Sequence, residues 1–152
     1  MGFNIRFVLE ATVHALRDVA RAATFRSPHY VPIVEDPRRF GLMNTPDSKP
    51  GYMALVPEGS SWKNECPARI GLALLAYRPT MYAKRIGCPV LIVGADKDTL
   101  VPQPSVKKAA SKCEDARLVS LPVGHFDVYV GEEFERVVEL EGDFLVERLL
   151  KG

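Results

Sequence analysis

The sequence predicts an α/β protein whose carboxyl half runs strand, helix, strand, helix behind a helical and proline-rich amino half. Three observations carry this. Pro89-Val90-Leu91-Ile92-Val93-Gly94 is a continuous apolar run bounded by Pro and Gly, the pattern of a strand buried on both faces of a parallel sheet. Arg117 to Leu121 reads as a second strand, and between the two lies a helix opened by Pro104 with Val106, Ala109, Ala110 and Cys113 on its buried side. From Glu132 to Leu150 a last helix places Phe134, Val137, Val138, Leu145 and Leu149 on one face. Strands alternating with helices in this way build a right-handed parallel crossover.

The amino half is different in texture. Asn4 fits an N-cap, and Ile5, Leu9, Val13, Leu16, Val19, Ala20 and Ala23 follow at helical steps, so a helix with that stripe facing inward is expected to about Thr24. Between Arg26 and Trp62, Pro28, Pro32, Pro37, Pro46, Pro50 and Pro57 pin the backbone in an irregular excursion, with a short helix near Tyr52 to Leu55. Asn64 is placed to cap a further helix, with Pro67 in its first turn, Ile70, Leu74 and Tyr77 on its inner face and Pro79 at its end. The chain therefore divides into residues 1–85, a cap-like segment, and residues 86–152, the strand–helix–strand–helix part.

Composition narrows the function classes. Among 152 residues, 20 Lys and Arg against 19 Asp and Glu leave a formal net charge of +1, too little field to gather on nucleic acid or anionic lipid. The three cysteines, Cys66, Cys88 and Cys113, show no CxxC pairing and fit reduced thiols in a cytoplasmic protein. Arg6, Glu10, Arg17 and Asp18 interrupt the amino terminus, which excludes a secretory apolar core, and no apolar run reaches spanning length. Three dispersed histidines with Asp96 and Asp98 form no ligand set, so neither a metal nor another cofactor is expected.

Two loops could carry chemistry. Gly94-Ala95-Asp96-Lys97-Asp98-Thr99-Leu100-Val101-Pro102 follows the first strand and Leu121-Pro122-Val123-Gly124-His125-Phe126-Asp127 follows the second. Open α/β sheets put ligand and catalytic groups just past the carboxyl ends of their strands. This pair resembles the acid and histidine loops of the α/β-hydrolase superfamily, where the chain order is nucleophile, acid, histidine. The resemblance implies the carboxyl-terminal portion of an α/β-hydrolase fold, with Asp98 as triad acid and His125 as general base of an esterase-type hydrolase. Asp96 is the competing acid, and Asp127 can cap the stretch after the histidine. Read blandly, Asp is simply common in turns and Gly-His common in loops.

One member of the triad is missing. No GxSxG or GxCxG elbow occurs in the sequence, and Ser60 and Ser61, though they follow Gly59, lie in the proline-rich excursion without a strand before them. Two strands are also too few for a doubly wound sheet, since their outer edges would be bare. The expectation is a piece of a longer enzyme, inactive alone, or one whose missing strands come from another copy or chain. The alternatives are a non-catalytic binding or assembly module on the same scaffold, and part of a dienelactone-type cysteine hydrolase. Residues 1–85 would then be the cap, and Phe25, Tyr30, Phe40, Met43, Tyr52, Met53 and Trp62 either line a pocket for a small ester-like substrate or form the cap's own core. Asp36-Pro37-Arg38-Arg39 reads as a contact for a carboxylate or as a solvated turn. His14 falls off the apolar stripe and His29 lies in the loop, so neither is expected to pair with His125.

Overall fold

The computed structural model describes residues 5–150. The chain forms two compact units, one ending at Tyr77 and the next beginning at Arg78. Each has its own core. Among the described residues no helix is long and apolar enough to cross a membrane, and Cys66, Cys88 and Cys113 are all free thiols.

The first unit contains α1 (Ile5–Ala23), β1 (Tyr30–Val31), α2 (Ser48–Ala54), β2 (Cys66–Pro67) and α3 (Ile70–Ala76). The helix expected at the amino end is present, and its proposed cap, Asn4, lies outside the described residues. Its packing is not the one the apolar stripe suggested. Ile5, Leu9, Val13 and Leu16 are all more than half exposed, whereas Ala15 and Asp18 on another face are buried. Polar geometry explains the rotation. Asp18 is fully buried; its carboxylate accepts from the Arg69 backbone amide at 3.0 Å and from Arg69 Nε and Nη2 at 2.7 and 3.0 Å, and from the His29 amide at 2.7 Å. A carboxylate taken from water demands such partners, and these fix which side of α1 faces α3. The same bonds, led by the Arg69 guanidinium, hold the Asp18 carboxyl far below the usual carboxylate range against the opposing effect of burial.

Asn64 does not cap a helix. Its Oδ1 accepts from the amides of Ile33 and Val34 at 3.1 and 2.9 Å while its Nδ2 donates to the Val34 carbonyl at 2.8 Å. The side-chain amide thus substitutes for a neighbouring strand along a proline-flanked segment short of backbone partners. Cys66 and Pro67 pair with Val31 and Tyr30 as a short antiparallel ladder, so α3 starts only at Ile70. Ile70, Leu74 and Tyr77, expected on its inner face, are 41, 54 and 69% exposed. The short helix in the excursion is α2, at whose start the buried Ser48 and Thr45 hydroxyls lie 2.6 Å apart, and Val31 and Val34 of the same unit are buried.

The second unit opens with single turns of 3-10 helix at Pro79–Met81 and Ala83–Arg85 and continues as β3 (Val90–Ala95), α4 (Gln103–Ala110), β4 (Ala116–Leu121), a turn at Asp127–Tyr129 and α5 (Gly131–Leu150). β3 and β4 pair in parallel, Val90 with Ala116 through Ala95 with Leu121, as the apolar runs predicted. Ala95, Leu121, Val123 and Val137 form the core, with Val93, Val119, Val128 and Leu140 against it. In α5 the buried line is Val137 and Phe144, with Leu140 between them, and Phe134, Val138, Leu145 and Leu149 stay substantially exposed. Arg117 clamps Glu147 at 2.7 and 2.9 Å, and Arg117 and Arg148 both lie over the Phe144 ring. Those contacts select the face that turns toward the strands.

Asp18→Asn removes the charge from the first unit's buried cluster while keeping its size. We expect a loss of about 2–3 kcal/mol in urea unfolding at neutral pH. Because the folded-state pKa is lowered, this stabilisation is present above the ordinary value of 3.8 and is lost as pH falls below it. The gap between wild type and variant should therefore shrink progressively in acid; a gap independent of pH would contradict the assignment.

Candidate active site

The two loops singled out from the sequence leave the same end of the parallel pair. The ladder does not stop at the strand ends: the Asp96 amide donates to the Leu121 carbonyl at 2.7 Å and the Lys97 amide to the Val123 carbonyl at 2.9 Å. One loop is thus stitched to the other before the chain reaches Asp98 or His125. Gly94 sits where the crossover helix crowds the strand, since a Cβ there would lie 3.2 Å from Val106 Cγ1. A larger residue would push α4 away from the loop that follows.

Asp98 is held in a tight Asx turn. Its Oδ1 accepts from the amides of Leu100 and Val101 at 2.7 and 2.8 Å, which leaves Oδ2 to point elsewhere. Gln103, in the first turn of α4, donates its side-chain amide to the Ala95 carbonyl and closes the same loop. Oδ2 meets His125 Nδ1 at 2.7 Å. A carboxylate can only accept, so Nδ1 carries the hydrogen, and a neutral ring then leaves its Nε2 lone pair free to take a proton. The Asp98 side chain is 8% exposed and that of His125 25%, so the carboxylate is shielded and the imidazole reaches solvent.

His125 is positioned from its other side as well. Asp127 Oδ2 accepts from the Gly124 amide at 2.7 Å and closes the turn that presents the histidine. The buried Phe126 ring stands edge-on to the imidazole with centroids 4.8 Å apart, and Tyr129 lies 6.5 Å away. Asp98 and His125 are therefore brought together, whereas Asp96, the competing acid, is exposed and contributes its backbone amide to the ladder. Ser60 spends its hydroxyl oxygen as acceptor for the Trp62 amide at 3.1 Å in an exposed turn.

Among the described residues, the ring contacts of the first unit fall into separate groups. Tyr52 stacks on Trp62 at 5.3 Å. Phe40 stacks between Phe7 at 5.5 Å and His14 at 4.8 Å, and Phe25 is 99% exposed at a φ of 55°. Sequence reasoning missed a pair here: His14 Nδ1 and His29 Nε2 lie 2.8 Å apart in part-buried surroundings, with one ring nitrogen donating to the other. Burial, then the charges of Arg17 and His14, push the His29 pKa down. No pattern in the chain signals two histidines fifteen positions apart, because the excursion's path decides their meeting. Among the described residues no group of three or more His, Cys, Asp or Glu side chains is placed to hold a metal ion.

No family model matches the chain. It is 37% identical over 145 residues to the quorum-quenching protein AidA of Acinetobacter baumannii, strain MDR-ZJ06, covering 95% of this chain and 48% of that protein. Its structure is similar to that of DcsB, solved in complex with its substrate analogue, at 19% identity and a TM-score of 0.77, covering 97% of this chain and 53% of the other. It is also similar to the α/β hydrolase GrgF from Penicillium sp. sh18, at 19% identity and a TM-score of 0.70, covering 97% and 51%. The chain spans about half the length of each of these proteins.

The tautomer follows from the geometry and can be read directly. In long-range nitrogen–proton NMR spectra of the chain, neutral His125 should appear as the Nδ1–H form, and Asp98→Asn should change the ring's tautomer balance. An Nε2–H ring in the wild type would refute the Asp98 contact.

Proposed function

We propose that this chain, which has the fold of the carboxyl-terminal part of an α/β-hydrolase, supplies the acid and base of a Ser-His-Asp hydrolase acting on an ester or related acyl bond. The observation that carries the reading is the 2.7 Å contact between Asp98 Oδ2 and His125 Nδ1 at the carboxyl end of two parallel strands. In this role His125 Nε2 takes the proton of a serine hydroxyl as it attacks the acyl carbon, then returns it to the leaving group. Asp98 holds the ring in the tautomer that can do so and stabilises the imidazolium that forms.

The nucleophile comes from a strand–GxSxG–helix segment outside these 152 residues. The length of the matched proteins, about twice the span covered, supports this division. Residues 1–85 serve as the cap, and the substrate is a small ester-like molecule. AidA is described as quorum-quenching, and a hydrolase acting on a small acyl signal is consistent with that description.

A second reading has one specific observation in its favour. Among the described residues β3 and β4 pair only with each other, so two strand edges are left to accept another strand. A non-catalytic assembly module would use those edges to bind a second copy or a partner chain. A cysteine in the elbow, in place of serine, is the remaining variant of the catalytic reading.

A fluorophosphonate probe separates these readings. The isolated chain should remain unlabelled, and the chain joined to an elbow-bearing amino-terminal segment should label at the elbow serine, with His125→Ala slowing labelling by about a thousandfold or more. Labelling of Ser60 or Ser61 in the isolated chain would overturn the division of the triad.

A further inference from the structure

The turn at Asp36 to Arg39 keeps its arginines uncommitted. Its acid is already engaged, because Lys49 Nζ donates to Asp36 Oδ2 at 3.0 Å and to Glu35 Oε1 at 2.6 Å, and Lys49 holds the Glu35 carboxyl down at about 2. The turn is closed by the Arg39 amide on the Asp36 carbonyl at 2.9 Å and by Asn44 Nδ2 on the Arg39 carbonyl at 3.2 Å. Among the described residues no carboxylate pairs with Arg38 or Arg39. Both line an open cavity of about 410 Å³ together with Arg6 and Phe7. The one acid in that lining, Glu10, is bonded to Arg6 at 2.9 Å, so the cavity carries an excess of positive charge.

Phe7 also belongs to a second cavity, of about 150 Å³, whose walls are nearly all apolar and include Ala11, Leu42, Gly71 and Leu72. At about 30 Å³ per water-sized group, that space takes roughly five methylenes. A cationic cavity and an apolar one share Phe7 of α1 as a lining residue, an arrangement complementary to a molecule with an anionic head and a short alkyl tail.

We propose that the first unit binds a medium-chain carboxylate, with its head on Arg38 and Arg39 and its tail passing Phe7 into the apolar cavity. Guanidinium groups at a fixed turn recognise the planar head in bidentate fashion, and the tail adds affinity by leaving water. The site lies wholly in the first unit and does not depend on the hydrolase reading.

The test is calorimetric titration of the full chain with octanoate, below its micellar range, against butyrate and 1-octanol. Octanoate should bind saturably, 1-octanol at least about tenfold more weakly, and the double variant Arg38→Gln, Arg39→Gln should lose about tenfold or more in octanoate affinity. Gly71 lines the apolar cavity and has nothing within 4 Å of an added Cβ, so Gly71→Leu is the variant chosen to add apolar bulk at that wall. In that variant octanoate should bind no more tightly than butyrate, and an unchanged thermal melt confirms that the fold is intact. Equal binding of octanoate and 1-octanol, full affinity in the arginine double variant, undiminished chain-length preference in Gly71→Leu, or no saturable octanoate binding would each overturn the proposal.

Discussion

Because β3 and β4 run in parallel with Val90 against Ala116 and Ala95 against Leu121, both strands deliver their following loops to the same end of the sheet. The two hydrogen bonds that continue beyond the strands, Asp96 to Leu121 and Lys97 to Val123, carry that register into the loops. A slip of one residue would turn Asp98 to the wrong side and leave the imidazole of His125 without its carboxylate. The Asx turn at Asp98 and the Asp127–Gly124 bond are local devices that make the last step reproducible. The site is therefore a property of backbone pairing first and of side chains second.

That hierarchy explains what could be read in advance. The strand from Val90 and the strand ending at Leu121 announce themselves by apolar runs, and a parallel pair has one sensible crossover, so Asp98 and His125 could be placed together from sequence. Helix faces were less legible. In α1 the apolar stripe at Ile5, Leu9, Val13 and Leu16 is a clear periodic signal, yet the buried face is chosen by Asp18, whose partners Arg69 and His29 are brought to it by a non-repetitive path. The same failure recurs at Asn64, which has the sequence position of a cap and the structural duty of a strand. Periodicity reports where apolar residues lie, while burial also depends on where a charge has to be satisfied.

Each unit on its own leaves material that further chain could cover: exposed apolar side chains on α1 in the first and, among the described residues, strand edges of β3 and β4 without a neighbour in the second. The matched proteins are about twice as long as the span they share with this chain. In the proposed enzyme, the elbow strand and its neighbours would pair with the β3 and β4 edges, which is what would bring a nucleophile to the base.

The most direct measurement is steady-state ester hydrolysis by the assembled enzyme, comparing wild type with Asp98→Asn. If Asp98 sets the tautomer of His125, kcat falls by about 10⁴ with little change in KM. A variant that keeps most of its kcat would show that the imidazole does not depend on this carboxylate, and the acid–base assignment would have to be given up.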